Sequence, residues 1–268
     1  MNEMLIAMAD RGLLPLGALL LAILLIANEV GFRIGRSRAA SLRAREKDET
    51  NLNMLTAGLI GLLAFTLGLS ISIAESRFEA RRDQVVTEAN AIGTAWYRAA
   101  LIAGEPGTKL RQDIEAYARL RLDFAQAGPE PARIAAINAE TNAAQARIWQ
   151  VVQEAAQRAP TPITASVIAS MNEMFDASLA QRYAFESQVP GTVLLLLLFT
   201  SMLAVAAIGF QLGFGPQRHL MLSVLLMTVW VAGMLLIVDL SRPRQGTIRA
   251  EVAPLVWTLQ GFGTTAPR

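Results

Sequence analysis

The sequence predicts an all-α integral membrane protein with four transmembrane helices and a helical extramembrane domain inserted between the second and third. Three observations carry this. Apolar residues make up 53% of the chain and charged residues only 17%, against roughly 25% charged in an average soluble protein. The apolar residues collect in four runs, each near the 20 or so residues that a helix needs to cross a bilayer. The long stretch between the second and third runs shows amphipathic helical periodicity instead.

The first span covers about Leu13 to Phe32 and contains the unbroken apolar stretch Ala18 to Ala27. The residues before it lack the positive opening and the small-residue cleavage site of a signal peptide, so it is expected to be retained. The second span covers about Met54 to Ala74, and residues 1–74 are expected to form an N-terminal transmembrane hairpin. Its connection, Arg33 to Asn51, is rich in arginine and is expected to extend the first helix outward. The third span runs from about Val193 to Phe214 and the fourth from about Leu220 to Val238, within a C-terminal hairpin of residues 191–240. Backbone polar groups must be satisfied internally in lipid, so all four are helices.

Residues 75–190 form the predicted extramembrane domain. Val85, Ala89, Ile92, Trp96 and Ala99 make one helical stripe, and Leu110, Ile114, Tyr117 and Phe124 a second. Ile134, Ile137, Ile148 and Val152 make a third, and Ile163, Val167, Met171, Met174 and Phe175 a fourth. Breaks are expected at Gly104-Glu105-Pro106-Gly107, Gly128-Pro129-Glu130-Pro131 and Pro160-Thr161-Pro162. Residues 241–268 read as a loosely ordered tail, with Trp257 as an interfacial anchor.

Charge placement gives a divided view of orientation. Arg33, Arg36, Arg38, Arg43, Arg45 and Lys47 draw the first connection to the cytoplasm and the central domain outside. Arg77, Arg81 and Arg82 after the second span, with Arg242, Arg244 and Arg249 after the fourth, nearly cancel that bias.

Several function classes fall away. The chain has no cysteine and one histidine, His219, which excludes a thiolate site and a His-rich metal cluster. No basic stripe interleaved with aromatics suggests nucleic acid. No phosphate loop, supported carboxylate pair or nucleophile with a partner histidine is present, so neither catalysis nor a cofactor is expected. Glu29, an acid near the end of the first span, is a functional candidate by depth alone. It also stands one helical turn before Arg33, the spacing of a structural ion pair. Arg77, Arg81 and Arg82 would suit either a basic ring at a pore mouth or arginines snorkelling to the interface.

The stretch Gly61-Leu62-Leu63-Ala64-Phe65-Thr66-Leu67-Gly68-Leu69-Ser70-Ile71-Ser72 resembles the pore helix of bestrophin anion channels. Leu67-Gly68 followed by Arg77-Phe78 keeps that helix's spacing. The continuation Val85-Val86-Thr87-Glu88-Ala89-Asn90-Ala91-Ile92-Gly93-Thr94-Ala95 resembles the bestrophin-like bacterial membrane protein family, a likeness that extends over most of the chain. The resemblance implies a homopentamer in a bacterial inner membrane, conducting small anions through an axial pore lined by the second helix. Its neck would fall on Gly61, Phe65 and Leu69, which share one helix face at i, i+4 and i+8. Ser72 and Ser76 continue that face with hydroxyls. Gly61 stands where the family has a bulky neck residue, and the calcium clasp of animal bestrophins has no counterpart. Bestrophins also keep the central domain in the cytosol, against the charge reading above. The alternative is a membrane sensor or scaffold whose helical domain binds a partner.

Overall fold

The computed structural model describes residues 12–42, 46–215 and 219–263, and side chains for these apart from 40–51. Among the described residues the chain is helical throughout, with no strand. Eight helices follow one another among the described residues: α1 Leu13–Leu42, α2 Glu46–Ala99, α3 Glu105–Gln126, α4 Pro131–Arg158, α5 Pro162–Glu186, α6 Gly191–Leu212, α7 Leu220–Leu240 and α8 Ala253–Gly261. Among the described residues four stretches are long and apolar enough to cross a membrane, and they match the four expected spans, the third ending at Leu212 rather than Phe214.

The breaks fall at the expected turns. α3, α4 and α5 each begin with a proline in the first turn, where its missing N–H costs nothing. Gly104 before α3 takes φ 78°, a conformation that a side chain would disfavour. The Thr161 hydroxyl accepts from the Thr164 backbone N–H at 3.3 Å and caps α5. α1 runs ten residues beyond Phe32 to Leu42, as the arginine-rich connection suggested. The connection between the third and fourth spans lies partly outside the described residues.

α2 is a single helix of 54 residues, about 80 Å long at 1.5 Å per residue. It contains no proline, so nothing interrupts the backbone ladder between the second span and the first extramembrane stripe.

The chain divides into two compact units, one from residues 1–76 and 189–242, the other from 77–188 and 243–268. In the membrane unit α1 and α6 approach until backbones touch. Ideal Cβ atoms on Gly31 and Gly35 would lie 2.0 and 2.1 Å from the carbonyl oxygens of Ala206 and Phe210. Those on Gly209 and Gly213 would meet Asn28 O at 2.2 Å and Arg36 N at 2.6 Å. Both helices thus carry glycine every fourth residue at their contact. Asn28 Nδ2 donates to Val205 O at 3.3 Å across the same seam. Gln211 Nε2 donates to Leu52 O and Asn53 Oδ1, at 3.2 and 2.9 Å, tying α6 to the start of α2.

In the extramembrane unit, Ile92, Leu110, Ile114, Tyr117, Phe124, Ile148 and Met171 are fully enclosed, so the predicted stripes meet in one core. Ile163 is the exception at 50% exposure, because it stands in the first turn of α5 before the buried face begins. Residues after Arg242 depart from the expected loose tail. α8 buries Leu255 and Leu259, Thr258 Oγ1 donates to Ala89 O at 3.3 Å, and Phe262 stacks on Trp96 at 4.5 Å. Arg244 Nη1 donates to Phe124 O and Ala127 O at 2.9 and 3.1 Å, satisfying carbonyls at the end of α3. Trp257 remains exposed.

Candidate functional site

The second span presents two unlike faces. Thr56, Leu63, Ser70 and Ala74 are buried, the first three recurring every seventh residue, and this seam turns toward the rest of the membrane unit. Leu67 beside it reaches the position of a Cβ on Gly233, at 3.2 Å. Gly61, Phe65, Leu69, Ser72 and Ser76 lie on the opposite side of the helix, and all five are exposed. Phe65 is 67% exposed and Leu69 52%, high for large apolar side chains in a packed bundle. A Cβ on Gly58, Gly61 or Gly68 would meet nothing within 4 Å.

Hydroxyls of this span divide between the two sides. Thr66 Oγ1 donates to Leu63 O at 3.0 Å and Ser70 Oγ to Thr66 O at 2.7 Å, so both are spent on their own helix. Ser72 and Ser76 stand on the exposed face instead.

The three arginines expected together at a mouth part company. Arg82 is exposed, with Nη1 4.0 Å from Glu79 Oε2, and Arg77 is half-buried. Arg81 is 1% exposed, because its position on the helix points into the extramembrane unit. Its charge therefore does not share the exposed face with Ser72 and Ser76.

Glu29 and Arg33 form the close pair that their spacing allowed, with Arg33 Nε donating to Glu29 Oε1 at 2.7 Å. The pair opens onto the cleft between α1 and α7.

Sequence reasoning missed a buried polar cluster in the extramembrane unit. Glu88 stands on α2, between Val85 and Ile92 of the first predicted stripe. It faces inward, and Arg121 Nε donates to its Oε1 at 2.5 Å. Arg121 Nη2 donates to Gln181 Oε1 at 2.7 Å on α5, and the guanidinium lies 4.4 Å from the Phe124 ring centre. Glu88, Arg121 and Gln181 are all within 1% of full burial. A signal was present: Glu88 falls in register with Val85 and Ile92, and Arg121 with Tyr117 and Phe124, on stripes otherwise apolar. Tyr117 stands beside this pair. Burial above all pushes its hydroxyl up to about 12, and the Glu88 carboxylate adds to the rise. Among the described residues no group of metal-ligating side chains comes together.

The overall arrangement is similar to crystal structures of variants of a bacterial bestrophin homologue from Klebsiella pneumoniae. One matches with a TM-score of 0.63 and 18% identity over 91% of this chain and 96% of that one. Another has a TM-score of 0.59 and 17% identity over 89% and 96% respectively. At that identity the likeness speaks for the fold. No curated protein matches in sequence. A family model described as the Bestrophin-like domain matches residues 22–255, and the chain belongs to that family.

Proposed function

We propose that the protein is the subunit of a homopentameric, anion-preferring channel in a bacterial inner membrane, with α2 of each copy lining an axial pore. Membership of the Bestrophin-like family and the bestrophin fold support an ion-channel kind of function. The pore lining rests on one observation, a contrast between exposed surfaces. On α6 and α7 most exposed residues are large and apolar, such as Leu196, Phe199, Leu222, Leu225 and Val229, as lipid contact favours, with Thr192, Thr228 and Ala232 as the small or hydroxylated ones. On α2 the exposed face carries Gly58, Gly61, Ala64, Gly68 and Ser72 among its apolar side chains. Small and hydroxylated residues suit close helix approach and a wet pathway rather than acyl chains.

In this reading Phe65 and Leu69 form stacked apolar rings whose width decides whether water fills the neck. An ion cannot pass a dry constriction without its hydration or substitute ligands, so these rings act as a gate. Ser72 and Ser76 offer hydroxyls beyond it. Arg77 and Arg82 raise the local anion concentration at the mouth, with Glu79 setting part of the balance. The rival, a sensor or scaffold, would use the exposed Tyr97, Leu179 and Tyr183 of the extramembrane unit to hold a partner.

The test is anion flux into liposomes holding the purified protein, with its oligomeric mass measured in parallel. Phe65→Ala with Leu69→Ala should raise flux, whereas Leu196→Ala on α6 should leave it unchanged. Arg82→Glu should lower the preference for anions over cations. A pentameric mass is expected. Absence of flux both before and after widening, or a monomeric protein, would remove the channel reading in favour of the scaffold.

A further inference from the structure

α4 carries charges of alternating sign at every seventh residue, Arg133, Glu140, Arg147 and Glu154, and all four are exposed. Seven residues are close to two helical turns, so the row follows one flank of the helix. Arg133, Glu140 and Arg147 have no ion-pair partner among the described residues. Glu154 makes only a 3.6 Å surface contact with Arg158. Beside the charged row lies an exposed face without charge. Its first part presents Ala132, Ala139 and Ala146, its second Gln150, Gln153 and Gln157. The opposite side of α4 is already covered, with Ile137, Ile148 and Val152 in the core of the extramembrane unit.

We propose that this outer face of α4 pairs with α4 of a second copy of the chain, antiparallel, about a two-fold axis between Ala143 and Ala144. The charge order carries the argument. Arg133 and Glu154 stand equally far from that point on either side, and so do Glu140 and Arg147. A two-fold axis there lays the charged flank of one helix beside the charged flank of the other. Arg133 then faces the partner's Glu154, and Glu140 faces the partner's Arg147, each contact occurring twice. A parallel pair would set Arg133 against Arg133 and Glu140 against Glu140, four repulsions in place of attractions. Shape favours the same register. The alanines of one copy meet the glutamines of the other, small against large, and alanine at the contact lets two helix axes approach closely. The contact is isologous, whereas neighbours in a closed ring meet head to tail, so it joins copies from two rings and does not rest on the channel reading.

The experiment is disulfide trapping of the full chain in detergent, which has no cysteine of its own. Under copper-phenanthroline oxidation, Ala143→Cys should link copies into covalent dimers on a denaturing gel, because that position meets itself across the axis. Ala132→Cys should not, since its two copies stand about 35 Å apart in the antiparallel register. In the Ala143→Cys chain, Glu140→Arg makes both contacts with the partner's Arg147 repulsive and should slow linking about tenfold, the weight of a few exposed ion pairs. Adding Arg147→Glu exchanges the signs, restores attraction and should return the rate to its starting value. That recovery also shows that Glu140→Arg acts on the pair and not on folding. No linking at Ala143→Cys, equal linking at Ala132→Cys, indifference to Glu140→Arg, or failure of Arg147→Glu to restore the rate would each overturn the proposal. The readout is the covalent pair, whatever the size of the ring. A protein monomeric but for this pair removes the channel reading alone, and pentamers that do not link remove this one alone.

Discussion

Gly31→Ala puts a methyl group where the Ala206 carbonyl oxygen stands, at 2.0 Å from the ideal Cβ. Real Cβ atoms essentially never come closer than 3.0 Å to such a neighbour, so α1 and α6 must separate locally by about 1 Å. The struck atoms are helix backbone, and no rotamer change relieves them. Overpacking of this kind costs about 1–3 kcal/mol, while replacing glycine in a helix returns up to about 1 kcal/mol. With backbone on both sides the upper end applies, so a net loss of about 2 kcal/mol is expected. Two other glycines make a graded comparison. At Gly233 the new methyl meets the flexible end of Leu67 at 3.2 Å, and at Gly93 it meets Thr258 Cγ2 at an ordinary 3.8 Å. Thermal unfolding in detergent, followed by far-ultraviolet circular dichroism, should order the variants Gly93→Ala, Gly233→Ala, Gly31→Ala from most to least stable. If Gly31→Ala unfolds no earlier than Gly93→Ala, the backbone contact between α1 and α6 does not exist and the reasoning fails.

Three further outcomes are expected. Glu88→Ala should cost about 3–5 kcal/mol by stranding Arg121 in the core, whereas Glu88→Leu with Arg121→Met should be far milder; equal damage from both, read by chemical denaturation, would contradict the pairing. Tyr117 holds its proton to about pH 12 in the folded chain, against roughly 10 when unfolded. Between these values the unfolded chain has lost a proton that the folded chain keeps, so stability should fall as pH rises above about 10. At neutral pH the hydroxyl is protonated in both states and contributes no pH slope. Tyr117→Phe should flatten the alkaline fall, and unfolding midpoints at pH 9 and 11 measure it. Finally, single cysteines at Ser41 and Thr108 in this cysteine-free chain should react with an impermeant thiol reagent from opposite sides of the membrane; labelling of both from one side would defeat the four-span topology.

The sequence alone determined the four spans, the helical character of the insert and the placement of its turns. These properties are local or periodic: hydrophobic length, spacing of apolar residues, proline and glycine at breaks. The register of Leu110, Ile114, Tyr117 and Phe124 was legible for the same reason, since one face of one helix must be covered by something. The family was legible too, from the stretches beginning at Gly61 and Val85. What covers each face was not. Gly31 and Gly35 had the spacing of a contact motif, but only the fold paired them with Gly209 and Gly213 on a helix distant in sequence. Glu88 could be read as a surface acid or a buried one, and the choice depended on Arg121 and Gln181, brought together by packing of α2, α3 and α5. Arg81 left the group of Arg77 and Arg82 because it stands a different fraction of a turn around the same helix. The residues after Arg242 looked like a tail because the segment is short, yet Leu255, Leu259 and Phe262 find places in a core built by other segments. Periodicity tells which residues share a face. Which partner meets that face is set by long-range packing, where the identity of the neighbour, and with it the cost of burying a charge or the space for a methyl group, first becomes defined.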